Sequence, residues 1–327
     1  MLSGLPWRIA QLACLAVLVV STSCAPVTTD PLRIGINSWP GYELIYLAQE
    51  KGFFQQHNVD VKLVEFGSLA DARRAYETGK IDGLATTLIE VIMARDMADR
   101  DLQVVHVFDF SVGGDVIITG SNIQSVSDLT GKSIGVELAS LGIYVLSRAL
   151  ELENMTFASI QPVSKDQKTM RHDLQTGKLH AVVTYPPESV ELEKDPRFHV
   201  IFSSRDIPGE IVDVLAVDNR KLSENPAQIR GFMNALQDAY SFLQQHQDEA
   251  CQIMGEREGL EAAVFRKLLT EDMRLVEPSE QADYFGETGK LRPVLEKAIQ
   301  SLRSFDLVSE KPQVIDCLRG GEGFRHE

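Results

Sequence analysis

The feature that most limits what this chain can fold into is a repeat. Arg33-Ile34-Gly35-Ile36 leads through a turn that carries Trp39 into an apolar stretch ending at Phe54. Ser133-Ile134-Gly135-Val136 leads in the same way through Ser140, Leu141 and Gly142 to Leu152. A second pair of segments echoes at nearly the same offset of about a hundred residues. Glu77-Thr78-Gly79-Lys80-Ile81-Asp82-Gly83-Leu84-Ala85-Thr86 lines up with Gln175-Thr176-Gly177-Lys178-Leu179-His180-Ala181-Val182-Val183-Thr184. A unit written twice, each time as strand-helix-strand-helix-strand, predicts an α/β protein built of two similar lobes.

The start of the chain is of another kind. Arg8 precedes the apolar run Ile9 to Val20, which is too short to span a bilayer comfortably, and the small residues Ser21, Thr22 and Ser23 follow. That layout is a secretory signal. Cys24 stands directly after Ser23, as the acylated cysteine of a bacterial lipoprotein does, although Ser21 occupies a place where leucine is usual. Residues 1–23 are therefore expected to be removed, Cys24 to carry the lipid anchor, and 24–31 to be a linker. What remains is about 300 residues, enough for two lobes. Lobe 1 is expected over 32–112 plus 210–308, lobe 2 over 113–209, and a polar, Gly-rich, loose tail over 309–327.

The formal charge of −15, from 47 acidic against 32 basic residues, argues against nucleic acid and anionic membrane as partners. Of four cysteines, Cys14 leaves with the signal, and Cys251 and Cys317 are left either to pair or to stay free. No Cys or His spacing is that of a metal site, and no cofactor is expected. Nor is a Ser-His-Asp or Cys-His arrangement legible, so no catalytic residue is assigned.

Along the chain, a helix is expected from near Pro40-Gly41 to Gly52, a strand over Val59–Phe66, a helix over Leu69–Thr78, and a strand over Ile81–Ala85. A helix over Leu88–Met97 and a strand over Leu102–Phe110 follow. Gly113-Gly114 reads as a hinge, Phe198–Phe202 as the last strand of lobe 2, and Val212–Val217 as a strand returning to lobe 1. Pro226 to Phe305 reads as mostly helical.

Ligands of open α/β sheets lie beyond the carboxyl ends of the strands. The repeat names four such loops, at Asn37 to Tyr42, Thr86 to Glu90, Glu137 to Tyr144 and Thr184 to Glu188. The two crossings, near Gly114-Asp115 and Gly209 to Asp213, would floor a cleft that closes on its ligand. The candidate ligand-binding residues are Asn37, Ser38, Trp39, Tyr42, Thr86, Thr87, Ser140, Gly142, Tyr185, Glu188 and Asp213. Trp39 reads either as a core residue of the first helix or, since Ser38 and Pro40 put it in a loop, as an aromatic wall. The loops carry acids but, from Ser140 onward in the third, no Lys or Arg. A neutral or cationic ligand is therefore expected, with Asp213 or Glu188 as its charged contact, Glu210 facing solvent, and Glu90 either in solvent or in the site.

Three segments carry a family resemblance: Trp39-Pro40-Gly41-Tyr42 running to Lys51-Gly52-Phe53-Phe54; Asp128-Leu129-Thr130-Gly131-Lys132 before Ile134-Gly135-Val136; and Gly177-Lys178-Leu179-His180-Ala181 before Tyr185-Pro186. In order and spacing the chain resembles the periplasmic substrate-binding proteins of ABC transporters for thiamine-pyrimidine precursors, sulfonates, taurine and nitrate. It departs from them at His180, where aspartate is usual. The resemblance implies the type II periplasmic-binding fold with mixed sheets and a cleft between the lobes. It also implies a small-molecule ligand handed to a membrane partner; with the export signal, a periplasmic or envelope location as a monomer is expected, and no enzymatic activity is expected, because the cysteine-rich iron segment of the family's fungal pyrimidine-synthesising branch is absent from this sequence. The membrane partner is then the permease of an ABC transporter or a membrane sensor. The ligand class stays open between an aminopyrimidine-like heterocycle and a sulfonate or nitrate.

Overall fold

The structure is a computed structural model that describes residues 30–98, 100–309 and 314–318. The expected signal, the anchor Cys24 and most of the linker lie outside the described residues. The strands are β1 (Leu32–Ile36), β2 (Val61–Glu65), β3 (Gly83–Thr87), β4 (Leu102–Ser111), β5 (Val116–Gly120), β6 (Ser133–Val136), β7 (Gln161–Ser164), β8 (Ala181–Thr184), β9 (Phe198–Ser203), β10 (Val212–Asp218) and β11 (Met273–Leu275). They form two sheets, ordered β11-β4-β10-β3-β1-β2 and β7-β6-β8-β5-β9. Each sheet is mixed. In the first, β1 pairs in parallel with β2 and β3, while β10 runs antiparallel to β3 and β4. In the second, β6 pairs in parallel with β7 and β8, while β5 runs antiparallel to β8 and β9.

The same local chemistry builds both copies of the repeat. Helices α1 (Glu43–Glu50), α2 (Phe53–Gln56), α3 (Leu69–Glu77) and α4 (Leu88–Met97) flank the first sheet, and α5 (Leu141–Leu152), α6 (Gln167–Gln175) and α7 (Glu188–Glu193) the second. Ser68 caps α3 by accepting from the Asp71 amide at 3.1 Å, and Asp166 caps α6 by accepting from Thr169 at 2.9 Å. Gly79 and Gly177 then end the two helices at φ of 75°, a left-handed conformation that costs glycine little. One continuous buried apolar cluster takes in Ile34, Leu84, Val104 and Leu215 of the first sheet together with Ile117, Ile134 and Val183 of the second.

The chain crosses between the sheets twice, from β4 to β5 and from β9 to β10. The crossings are tied together where Ser111 Oγ and Ser204 Oγ meet at 2.8 Å and the Ser204 amide donates to the Asp115 carbonyl at 2.9 Å. Gly113 sits in the first crossing at φ 134°.

The C-terminal region departs from the expected helical run. After α8 (Asn219–Glu224), α9 (Pro226–Gln245), α10 (Gln247–Glu258) and α11 (Ala262–Lys267), a π-helical turn over Leu268–Asp272 delivers β11 to the edge of the first sheet before α12 (Leu291–Ser304). Three residues are too short a run for strand periodicity to show. The segment expected to be a loose tail contains a 3-10 turn at Ile315–Leu318, where Val314, Cys317 and Leu318 are buried. Cys251 and Cys317 are both buried free thiols.

Candidate functional site

β1 ends at Ile36, and the chain turns through Asn37, Ser38 and Trp39 into a 3-10 turn, Pro40–Tyr42, that runs on into α1. Pro40 suits that start because its missing amide hydrogen would have had no partner there. The Trp39 indole is 4% exposed and donates from Nε1 to both oxygens of Asp109, at 3.3 and 3.2 Å. Its ring meets Tyr185, from the loop after β8, edge to face, with centroids 6.2 Å apart and planes at 75°. Trp39 is thus buried, and its ring stands against an aromatic from the loop after β8 of the second sheet. A Cβ at Gly41 would stand 1.9 Å from Asp109 Oδ2, so the carboxylate can lie there only because the residue is glycine.

The floor is a pair of opposed carboxyls. In the antiparallel ladder of β4 and β10, Asp213 stands directly across from Asp109, an arrangement that disfavours two like charges. Burial, and then the partner's charge, pushes the Asp213 carboxyl well up, and burial pushes Asp109 up in the same direction. The Tyr42 hydroxyl donates to Asp213 Oδ1. At the hinge, burial raises Asp115 to about 7, with the charge of Glu90 adding to the effect. Burial likewise raises Glu137 to about 7. Glu137 accepts from Gln167 Nε2 at 3.1 Å and from the Tyr185 hydroxyl at 3.4 Å.

Trp39, Tyr42, Asp115, Tyr185 and Asp213, with Asn37, Leu69, Thr87 and Leu141, line an inner cavity of about 10 Å³, close to the size of one water molecule. Its lining has no Lys or Arg, and it holds three buried acceptors without a hydrogen-bond partner: Asn37 Oδ1, Asp115 Oδ2 and Asp213 Oδ2. Outside Tyr185 the cleft widens to about 810 Å³. There Glu65, Asp71, Asp166, Glu188, Glu191, Glu256 and Glu258 outnumber Lys168 and Arg257.

Of the residues singled out from sequence, Asn37, Trp39, Tyr42, Thr87, Tyr185 and Asp213 line the inner cavity. Ser38 and Glu188 line the outer cleft, where Arg171 Nε lies 2.8 Å from Glu188 Oε2 as an ion pair, off the line of a hydrogen bond. Thr86 is buried in β3 with its hydroxyl unpartnered. Ser140 is bonded to Glu90 at 2.7 Å, and Gly142 packs against Val136 and the Glu137 backbone instead of the cavity. Glu210, expected to face solvent, is 4% exposed and accepts from Tyr144 and Arg148, each at 2.7 Å, with Lys297 Nζ 2.6 Å away. A helix from each lobe supplies a cation there, which spacing along the chain does not reveal. Asp109, Asp115 and Glu137 were not among the predicted site residues. Asp109 had a signal: it is the one carboxylate in the apolar run Val104 to Phe110.

Two mixed sheets, two tied crossings and a cleft lined from both sides define a two-lobed periplasmic-binding type of protein. Solved structures with the same fold include the alkanesulfonate-binding protein SsuA of Xanthomonas axonopodis pv. citri bound to MOPS, with TM-score 0.76 and 17% identity over 88% of this chain and 97% of that one. The ligand-binding component of an ABC-type import system from Staphylococcus aureus, with zinc bound, has TM-score 0.71 and 14% identity over 89% and 96%. A sequence relative, a 4-amino-5-hydroxymethyl-2-methylpyrimidine phosphate synthase of Saccharomyces cerevisiae, is 22% identical over 66% of this chain and 68% of its own. Residues 39–250 match the family described as NMT1/THI5 like, and the chain belongs to that family. Among the described residues no helix is long and apolar enough to cross a membrane.

Proposed function

We propose that this protein is an exported, lipid-anchored solute-binding protein that closes its two lobes on a small neutral or cationic molecule and delivers it to the permease of an ABC transporter. An aminopyrimidine-like heterocycle has the required chemistry, a flat ring for Trp39, Tyr42 and Tyr185 and N–H donors for the acceptors around them, and the lobes would have to part to admit it, since the inner cavity has room for about one water. The observation that carries this reading is that three residues lining the inner cavity hold buried oxygens without a hydrogen-bond donor, Asn37 Oδ1, Asp115 Oδ2 and Asp213 Oδ2, with no Lys or Arg in the lining. Such atoms favour a ligand that donates hydrogen bonds. Asp213, whose carboxyl burial and the charge of Asp109 hold well above the usual range, is its proposed contact and would ionise as a cation comes to lie beside it, while Glu188, already beside Arg171, serves at the outer cleft. Transport fits the import component among the structural neighbours, and the acidic outer cleft would concentrate cations at its mouth.

Calorimetry against aminopyrimidines, polyamines, alkanesulfonates and nitrate tests the reading. Tight binding is expected from an amine-bearing compound, weakened about tenfold or more by Asp213→Asn. Tight binding of a sulfonate or nitrate, indifferent to Asp213→Asn and Glu188→Gln, would refute it.

A further inference from the structure

Glu90 is bonded across the cleft. It is the third residue of α4, and Thr87-x-x-Glu90 has the spacing of a capping box, in which the glutamate turns back to the amide of the capping residue. Here it does not turn back. The Thr87 hydroxyl donates to Oε2, while Oε1 accepts the Ser140 hydroxyl and the Leu141 amide, each at 2.7 Å. Ser140 and Leu141 are the cap and first residue of α5, which belongs to the other sheet, and Glu90 is fully buried.

A helix amino terminus offers unpaired amide hydrogens and the positive end of the helix dipole, and it attracts an anion. In this cleft that position is filled by the protein's own carboxylate. Its charge also bears on Asp115 and Glu137, so a second anion would meet acids around it. The guanidinium of Arg73 is already paired with Glu77 at 2.6 Å and donates to the Ala139 carbonyl at 3.1 Å, leaving its buried Nε as a donor without a partner among the described residues.

We infer that Glu90 is the charge-specificity residue of the cleft: it occupies the anion position at α5, bars sulfonate-like and nitrate-like ligands, and clasps the lobes in the closed form. This rests on the reading of a donor-bearing ligand and gives it a structural cause.

The test is calorimetric titration of the full chain and its Glu90→Ala and Glu90→Gln variants with methanesulfonate, nitrate and 1,4-diaminobutane, after a thermal melt confirms that each is folded. The unmodified protein should not bind methanesulfonate measurably. Glu90→Ala, which frees the Leu141 amide and removes a charge, should bind it measurably, with a Kd at least about tenfold below the weakest the titration can detect. Glu90→Gln, which removes the charge but keeps an acceptor for that amide, should gain less. A folded Glu90→Ala with no gain in anion affinity overturns the inference. If Glu90→Ala does not fold, Glu90→Gln decides, and no gain there overturns it equally. Diaminobutane binding by the unmodified protein, together with no anion gain in either variant, sinks the role of Glu90 and leaves the ligand reading standing. Tight methanesulfonate binding by the unmodified protein sinks both.

Discussion

At the scale of single residues, the buried acids separate into two groups by what surrounds them. Glu210 is pulled up by burial, but hydrogen bonds from Arg148, Lys297 and Tyr144 together outweigh that and hold it below the usual carboxylate range. Asp82 behaves alike, with burial outweighed by the hydrogen bonds of Arg33. Asp115, Asp213 and Glu137 feel no such cation, the charge of Arg274 only partly offsets the burial of Asp109, and burial prevails in all four. Trp39 links the second group to the far lobe through Asp109 and Tyr185. Trp39→Ala should therefore weaken ligand binding by a few kcal/mol, on the order of what an aromatic face supplies. It should lower the melting temperature as well, because Gly114 packs against the same ring. Affinity and melting temperature measured together check this. Unchanged affinity with a lowered melting temperature would assign Trp39 to packing alone.

At the scale of elements, the acids buried where the strands of both sheets end, Asp109 and Asp213 on β4 and β10, Asp115 in the first crossing and Glu137 after β6, set the response to pH. Unfolded, the carboxyls of the second group lose their protons near pH 4, whereas folded Asp115 and Glu137 keep theirs to about 7. Their contribution to stability is full below about pH 4 and is lost as pH rises through about 7. Asp82 and Glu210 act in the opposite sense: their contribution is present above their unfolded values and is lost only as pH falls below about 4. Between about pH 4.5 and pH 7.5 the first effect should dominate, and the ligand-free protein should lose a few kcal/mol of stability as pH rises. Thermal melts across that interval check the sign. Asp115→Asn should flatten the slope, because the amide stays neutral throughout, and a slope identical to that of the unmodified protein would remove Asp115 from the account.

At the scale of the molecule, function depends on the two crossings and on where the chain is held. Gly113 adopts a φ of 134° that other residues rarely adopt, and a Cβ there would stand 2.3 Å from an Arg205 guanidinium nitrogen. The guanidinium can move aside but the backbone cannot. Gly113→Ala should cost about 1–3 kcal/mol, visible as a lowered denaturation midpoint, and an unchanged midpoint would show that the crossing tolerates another conformation. For the proposed anchor, Cys24→Ser should release the protein from the membrane fraction into the soluble one, since acylation needs the thiol. Sedimentation with membranes despite the substitution would end the lipoprotein proposal.

Much of the architecture was legible because it is carried by local rules. The offset of the two echoes, the glycines at 79 and 177, and the period of α4 all depend on neighbours a few residues away, and α4 matches its expected bounds of Leu88–Met97. The strand-end loops were legible for the same reason, and six of the eleven candidate residues line the inner cavity. The rest was decided by contacts between residues far apart in the chain. Asp109 becomes part of the floor only because β10 returns more than a hundred residues later to set Asp213 opposite it. Glu90 has the sequence signature of a helix cap, and only the approach of α5 from the second sheet turns it into a bond across the cleft. Glu210 looks like a surface acid until α5 and α12 bring Arg148 and Lys297 to it. Sequence alone determined the repeat, the elements that build it and the acidic character of the loops, because hydrophobic period and turn chemistry are local, whereas β11 and the turn at Ile315–Leu318 escaped it. Which acids are buried together was decided by the tertiary structure, because desolvation and like-charge repulsion depend on distances that no linear spacing encodes.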